Sequence, residues 1–121
     1  MAMAITSHRD LDVWMIGVDL AVRVLDDVKK LPPGEFGLRR QISDAVVSIP
    51  SNVAEGWRRK KRKQAYANHV SIAMGSQGEL DTQLEICFLS GLLKRENCVE
   101  SVKLLGRVGT MLDRLYDSLD P

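Results

Sequence analysis

The sequence predicts an all-α protein, folded as an antiparallel up-down-up-down four-helix bundle. Three observations carry that prediction. Apolar residues recur at steps of three and four along four separate stretches, and no stretch keeps the period of two that a half-buried strand requires. Short connections rich in Pro, Gly or charge separate the stretches, which makes consecutive helices antiparallel neighbours. Aromatic residues are only 5% of the 121-residue chain. The core is therefore built from Leu, Val, Ile, Met and Ala, which suits helix packing. A chain of this length is expected to form one domain spanning residues 1–121.

The first helix is expected from about Ser7 to Lys30. Ser7 and Asp10 form a capping-box variant at its start. Leu11, Trp14, Val18, Ala21, Leu25 and Val28 make its apolar stripe, widened by Met15 and Val22. Leu31-Pro32-Pro33-Gly34 stops it, because proline lacks an N–H and pushes the preceding residue out of the α region. Pro33 suits an early position of the second helix, with Glu35 in its first turn. Leu38, Ile42, Ala45, Val46, Ile49 and Val53 follow on one face. Pro50 is expected to kink this helix and Gly56 to end it. Val46-Val47-Ser48-Ile49 is the one rival strand, and its helical flanks argue against it. The third helix follows a basic run, through Tyr66, Val70, Ala73, Gln77, Leu80, Leu84 and Cys87, and closes at Gly91. Gly75, Ser76 and Gly78 inside it suggest close backbone approach, and Gly106 and Gly109 in the fourth helix mark close packing or lowered stability. The fourth helix carries Val99, Val102, Leu105, Val108, Leu112, Leu115 and Leu119.

Charge is unevenly spread. The formal net charge is +1, yet six of the 17 basic residues are consecutive: Arg58, Arg59, Lys60, Lys61, Arg62 and Lys63. Without them 11 basic residues face 16 acidic ones. Residues 64–93 hold Glu79, Asp81 and Glu85 and no Lys or Arg. A local cationic patch attracts polyanions even on a near-neutral protein. Its plain alternative is a solvated turn. No run of 18 apolar residues exists, so no membrane span is expected. The N-terminal stretch MAMAITSHRDLD lacks the pattern of a secretory signal, so a cytoplasmic, reducing compartment is expected, with Cys87 and Cys98 as free thiols.

Ser48-Ile49-Pro50-Ser51-Asn52-Val53-Ala54-Glu55-Gly56 is the most distinctive block. With Glu35-Phe36-Gly37-Leu38, Gln41-Ile42, the Ala73–Ser76 and Glu79–Leu84 segments and Trp14, it resembles the four-helix-bundle proteins encoded in intervening sequences of bacterial 23S ribosomal RNA genes. The likeness covers nearly the whole chain. It implies a homo-oligomer, a ring of five bundles. It also implies kinship with an accessory protein of diversity-generating retroelements, which binds nucleic acid and a reverse transcriptase. No enzymatic activity comes with that family. Its members often carry arginine just before the alanine that matches Ala45; here those places are Ser43 and Asp44.

No catalytic constellation is legible. His8 and His69 have no second histidine at helical spacing, and no Glu-x-x-His motif points to a di-metal site. There is no phosphate loop and no nucleophile elbow. No catalytic residue, metal or cofactor is therefore expected. Two polar sets share helix faces: Ser48, Asn52 and Glu55 on the second helix, and Ser76, Glu79 and Gln83 on the third. Folding the pair about Lys60 brings Asn52 opposite His69 and Gln41 opposite Glu79. With Pro50 and Gly56 these residues read as a structural motif, a register-fixing contact or a subunit seam, and the alternative is a ligand pocket. The basic run carries the functional expectation: Arg58–Lys63 binds nucleic acid, RNA above all; Trp57 and Tyr66 flank it, either to stack on bases or to pack in the core or an interface, the second favoured for Tyr66. Arg39 and Arg40 fall at the opposite end, too far to join one patch. The alternative is a protein-interaction scaffold whose partner offers an acidic surface.

Overall fold

A computed structural model describes residues 4–121; Met1, Ala2 and Met3, which open the stretch read for a secretory signal, lie outside the described residues. Four helices follow one another: α1 (Asp12–Asp27), α2 (Phe36–Arg58), α3 (Lys63–Leu89) and α4 (Val99–Ser118). Among the described residues there is no strand. α1 packs on α2 and α4, and α3 packs on the same two, so α1 and α3 stand diagonally across the bundle. Fully buried Leu20, Val24, Ile42, Val46, Ile49 and Val53 meet Val70, Leu80, Leu84, Val108 and Leu112 in one core. Each of these side chains contributes about 1.5–3 kcal/mol by leaving water.

The first helix is shorter than its sequence suggested, and it is rotated. A 3₁₀ turn at His8–Asp10 precedes it and another at Val28–Lys30 follows it. The capping box belongs to the first turn: Asp10 accepts from the Ser7 N–H at 3.1 Å and the Thr6 N–H at 2.9 Å. Those bonds hold its carboxyl below the usual Asp range. In α1 the core face is Val13, Gly17, Leu20 and Val24, with Ala21 beside it. Met15, Val22 and Leu25, assigned to the buried stripe from sequence, are exposed at 46%, 63% and 36%. α1 is apolar over two adjacent faces, and only packing decides which one is buried.

α2 begins at Phe36, so Pro33 stays in the loop and Glu35 is its N-cap rather than part of its first turn. Arg39 explains the boundary. Its guanidinium donates to the carbonyls of Val28 (3.2 Å) and Leu31 (3.0 Å), which ties the loop to the helix. α2 runs through Pro50 without a break and on past Gly56 to Arg58. Pro50 is buried against α1: a Cβ on Gly17 would lie 3.4 Å from the Pro50 Cβ. Gly56 is not a stop but a point of close contact between α2 and α3. A Cβ there would meet Tyr66 Cδ1 at 2.9 Å and His69 Cβ at 3.0 Å.

α3 ends as expected. Gly91 has φ +78°, with Leu92 N bonded to the Cys87 carbonyl at 2.9 Å and Gly91 N to the Phe88 carbonyl at 3.3 Å. This is the Schellman arrangement that glycine permits. The expected close approach at Gly75, Gly78 and Gly106 does not occur within the chain, since a Cβ at each would meet nothing within 4 Å. Gly109 faces only the Gln77 side chain. Arg95 locks the α3–α4 connection with two bonds to Glu85, at 2.9 and 2.7 Å.

Candidate nucleic-acid interface

The basic run occupies the α2–α3 turn. Arg58 is the last residue of α2, Arg59–Arg62 form the connection, and Lys63 opens α3. Chained hydrogen bonds shape it: Arg59 N to the Glu55 and Gly56 carbonyls, Lys60 N to Trp57, and Arg62 N to Arg59 at 2.9 Å. All six side chains are exposed. Among the described residues no carboxylate lies within 4.0 Å of any of them. Elsewhere Arg23, Lys29, Arg95 and Lys103 each have an acidic partner. The turn is thus a compact cationic projection without internal compensation, and like charges held this close repel one another.

The two flanking aromatics are not available as stacking platforms. Trp57 is 9% exposed and Tyr66 is 7% exposed. Both belong to the core cluster. Lys60 covers the Trp57 ring, with Nζ 3.5 Å from its centroid, a cation–π contact that pins the turn. Burial also pushes the Tyr66 hydroxyl pKa up. At the other end Arg39 is engaged with backbone carbonyls and only Arg40 is exposed.

The polar set between α2 and α3 forms a chain of hydrogen bonds. Asn52 Nδ2 donates to the Ser48 carbonyl (2.9 Å) and Oγ (3.0 Å), and Ser48 Oγ lies 2.8 Å from Ser76 Oγ. His69 Nδ1 lies 3.0 Å from Asn52 Oδ1. Asn52 spends its amide hydrogens on Ser48, so its Oδ1 accepts and His69 Nδ1 carries the proton. Glu55 Oε2 is 3.5 Å from the same nitrogen. Glu79 does not meet Gln41; it accepts from Gln83 on its own helix at 3.1 Å. Gln83 Oε1 is buried without a partner among the described residues.

A buried polar contact that the sequence reading missed joins α1 to α4. Ser101 Oγ donates to Asp27 Oδ2 at 2.5 Å, and both residues are buried. Asp27 lies off the apolar stripe that the sequence predicts for the first helix. The signal was there: it falls three residues after Val24 and seven after Leu20, on the face that is in fact buried. Cys98 sits beside it, and burial together with the Asp27 carboxylate pushes its thiol up to about 11. Burial, reinforced by Glu35, also raises Cys87. Both thiols are free and buried. Among the described residues no group of three His, Cys, Asp or Glu side chains could hold a metal ion. No helix among them is long and apolar enough to cross a membrane.

These features define a small helical-bundle protein with one uncompensated cationic turn and a polar seam between its two longest helices. The chain belongs to the 23S rRNA-intervening sequence protein family, whose model matches residues 9–114. The fold is similar to a crystal structure, at 1.70 Å resolution, of a protein of unknown function from the S23 ribosomal protein family of Bacteroides thetaiotaomicron VPI-5482. The TM-score is 0.79 at 23% identity, over 86% of this chain and 97% of that one. No curated protein matches the chain.

Proposed function

We propose that this is a non-enzymatic, oligomeric RNA-binding protein of the cytoplasm whose contact surface is Arg58–Lys63. One observation carries the reading: six exposed cations share one turn and none has an acidic partner within 4.0 Å among the described residues. Phosphate groups relieve that repulsion and release condensed counterions on binding. Base stacking contributes nothing from Trp57 or Tyr66, so binding follows the backbone and tolerates sequence. The test is a titration of single-stranded RNA at several salt concentrations. With six phosphate contacts, log K falls against log salt with a slope of about −4. Replacing all six with Ser or Gln removes that slope for an RNA of about 5 nucleotides, long enough to cover the turn alone. Unchanged affinity in this variant overturns the reading.

Self-association is the second part of the proposal. Met15, Val22 and Leu25 leave one apolar strip exposed on α1, and Ile72 and Ile86 leave another on α3. The two helices are diagonal, so the strips lie on opposite sides of the bundle. Unlike surfaces on opposite sides favour heterologous contact, which closes into a ring when the rotation permits. A ring of five repeats the basic turn around one rim.

A further inference from the structure

We propose that the outward face of α4 is a second phosphate-contacting surface, which continues the basic turn down one side of the bundle for the same RNA strand. The proposal rests on the RNA-binding reading above. Lys103, Arg107 and Arg114 recur at four and seven residues, and all three are exposed. At 100° per residue they share one face of α4, opposite the side that carries buried Leu105, Val108 and Leu112. They border an open trough of about 560 Å³, whose lining includes Gly106, Val102 and Met111. Gly106 is exposed, and a Cβ there would meet nothing within 4 Å, so a strand can approach the bare backbone closely. Arg107 and Arg114 have no carboxylate within 4.0 Å among the described residues. Lys103 is held only by a 3.6 Å contact to exposed Glu100. Asp113 and Asp117 share the helix but come within 4.0 Å of none of the three.

The register connects this face to the turn. Gln77 Nε2 donates to the Leu105 carbonyl at 3.1 Å, and the Gln77 side chain also faces Gly109. Arg107 is therefore level with Gln77, and α4 runs back toward the α2–α3 turn. Lys103 lies about 6 Å from Arg107 along the axis, and Arg114 about 10 Å the other way. From the level of Arg114 to Lys63 is again about 10 Å. The cations thus form a ladder of similar steps from mid-bundle to the turn, and one extended strand can follow it. Positive charge spaced along a groove is how single strands are tracked without sequence preference.

The test compares an RNA of about 5 nucleotides, which covers the turn alone, with one of about 20 nucleotides, which reaches α4. In the variant Lys103→Gln/Arg107→Gln/Arg114→Gln the salt slope for the longer RNA becomes shallower by about 2, while the shorter RNA binds as to the wild type. Arg107→Lys/Arg114→Lys keeps the charge and keeps the slope. Circular dichroism checks that both variants fold. If the Gln variant matches the wild type on the longer RNA while the turn variant fails, the α4 surface is overturned and the turn stands. Equal weakening on both RNAs overturns it too, as a general charge effect. If the wild type shows no salt-dependent binding, both proposals fall.

Discussion

Gly56 and Gly78 show how differently the same residue type can be used within one helical pair. A side chain at Gly56 would meet the Tyr66 ring at 2.9 Å and the Tyr66 carbonyl at 3.2 Å, and one at Gly78 would meet nothing within 4 Å. Gly56→Ala is expected to lose about 1–3 kcal/mol through forced separation of α2 and α3. Gly78→Ala is expected to gain about 0.5–1 kcal/mol from helix propensity. Urea denaturation of the two variants measures both, and a stabilised Gly56→Ala would contradict the packing described. Sequence identified Gly56 as special but gave it the wrong role, because a helix-ending glycine and a helix-crossing glycine look alike without the opposing helix. Asn52 and His69 were legible as facing residues from chain arithmetic about the turn. Asp27 with Ser101 was not, since 74 residues separate them and no local pattern links the two.

The same division holds for whole elements. Helix existence was legible everywhere, because four periodic stretches and three breaks leave little freedom. Faces were legible where one side is clearly polar, as in α4, whose buried Leu105, Val108 and Leu112 were all expected, although Val99 at its start, expected with them, is exposed at 46%. α1 was misread because Leu11, Trp14, Val18 and Leu25 are as apolar as Val13, Leu20 and Val24. Propensity cannot choose between two such faces, and contact with α2 and α4 does. The close of α3 is the opposite case, a boundary written in one residue. Gly91 has φ +78°, a region where an L side chain costs about 1–2 kcal/mol. Gly91→Ala should therefore lower stability by about that amount in denaturant titration. It should leave RNA binding unchanged, because the basic turn is at the other end. Equal stability would mean that the cap relaxes freely.

At the level of the molecule, one bundle presents two exposed apolar strips and a cationic end. Light scattering after size exclusion is expected to give about five times the 13.5 kDa chain mass. Val22→Glu with Ile86→Glu should return the protein to a monomer, since a charge then interrupts each strip. A wild-type protein that runs as a monomer at micromolar concentration overturns the ring. Oligomer loss should also weaken RNA binding, because linked sites add avidity at no new contact. The sequence alone determined the all-helical class, the four elements, the Gly91 stop and the site of concentrated charge. These depend on periodicity, backbone stereochemistry and composition, which are local. Only the tertiary structure decided which face of α1 is buried, that α2 passes through Pro50 and Gly56, that Trp57 and Tyr66 are core rather than platform, and that Asp27 meets Ser101. Those outcomes depend on which surfaces exclude water together, and that is settled between helices rather than within one.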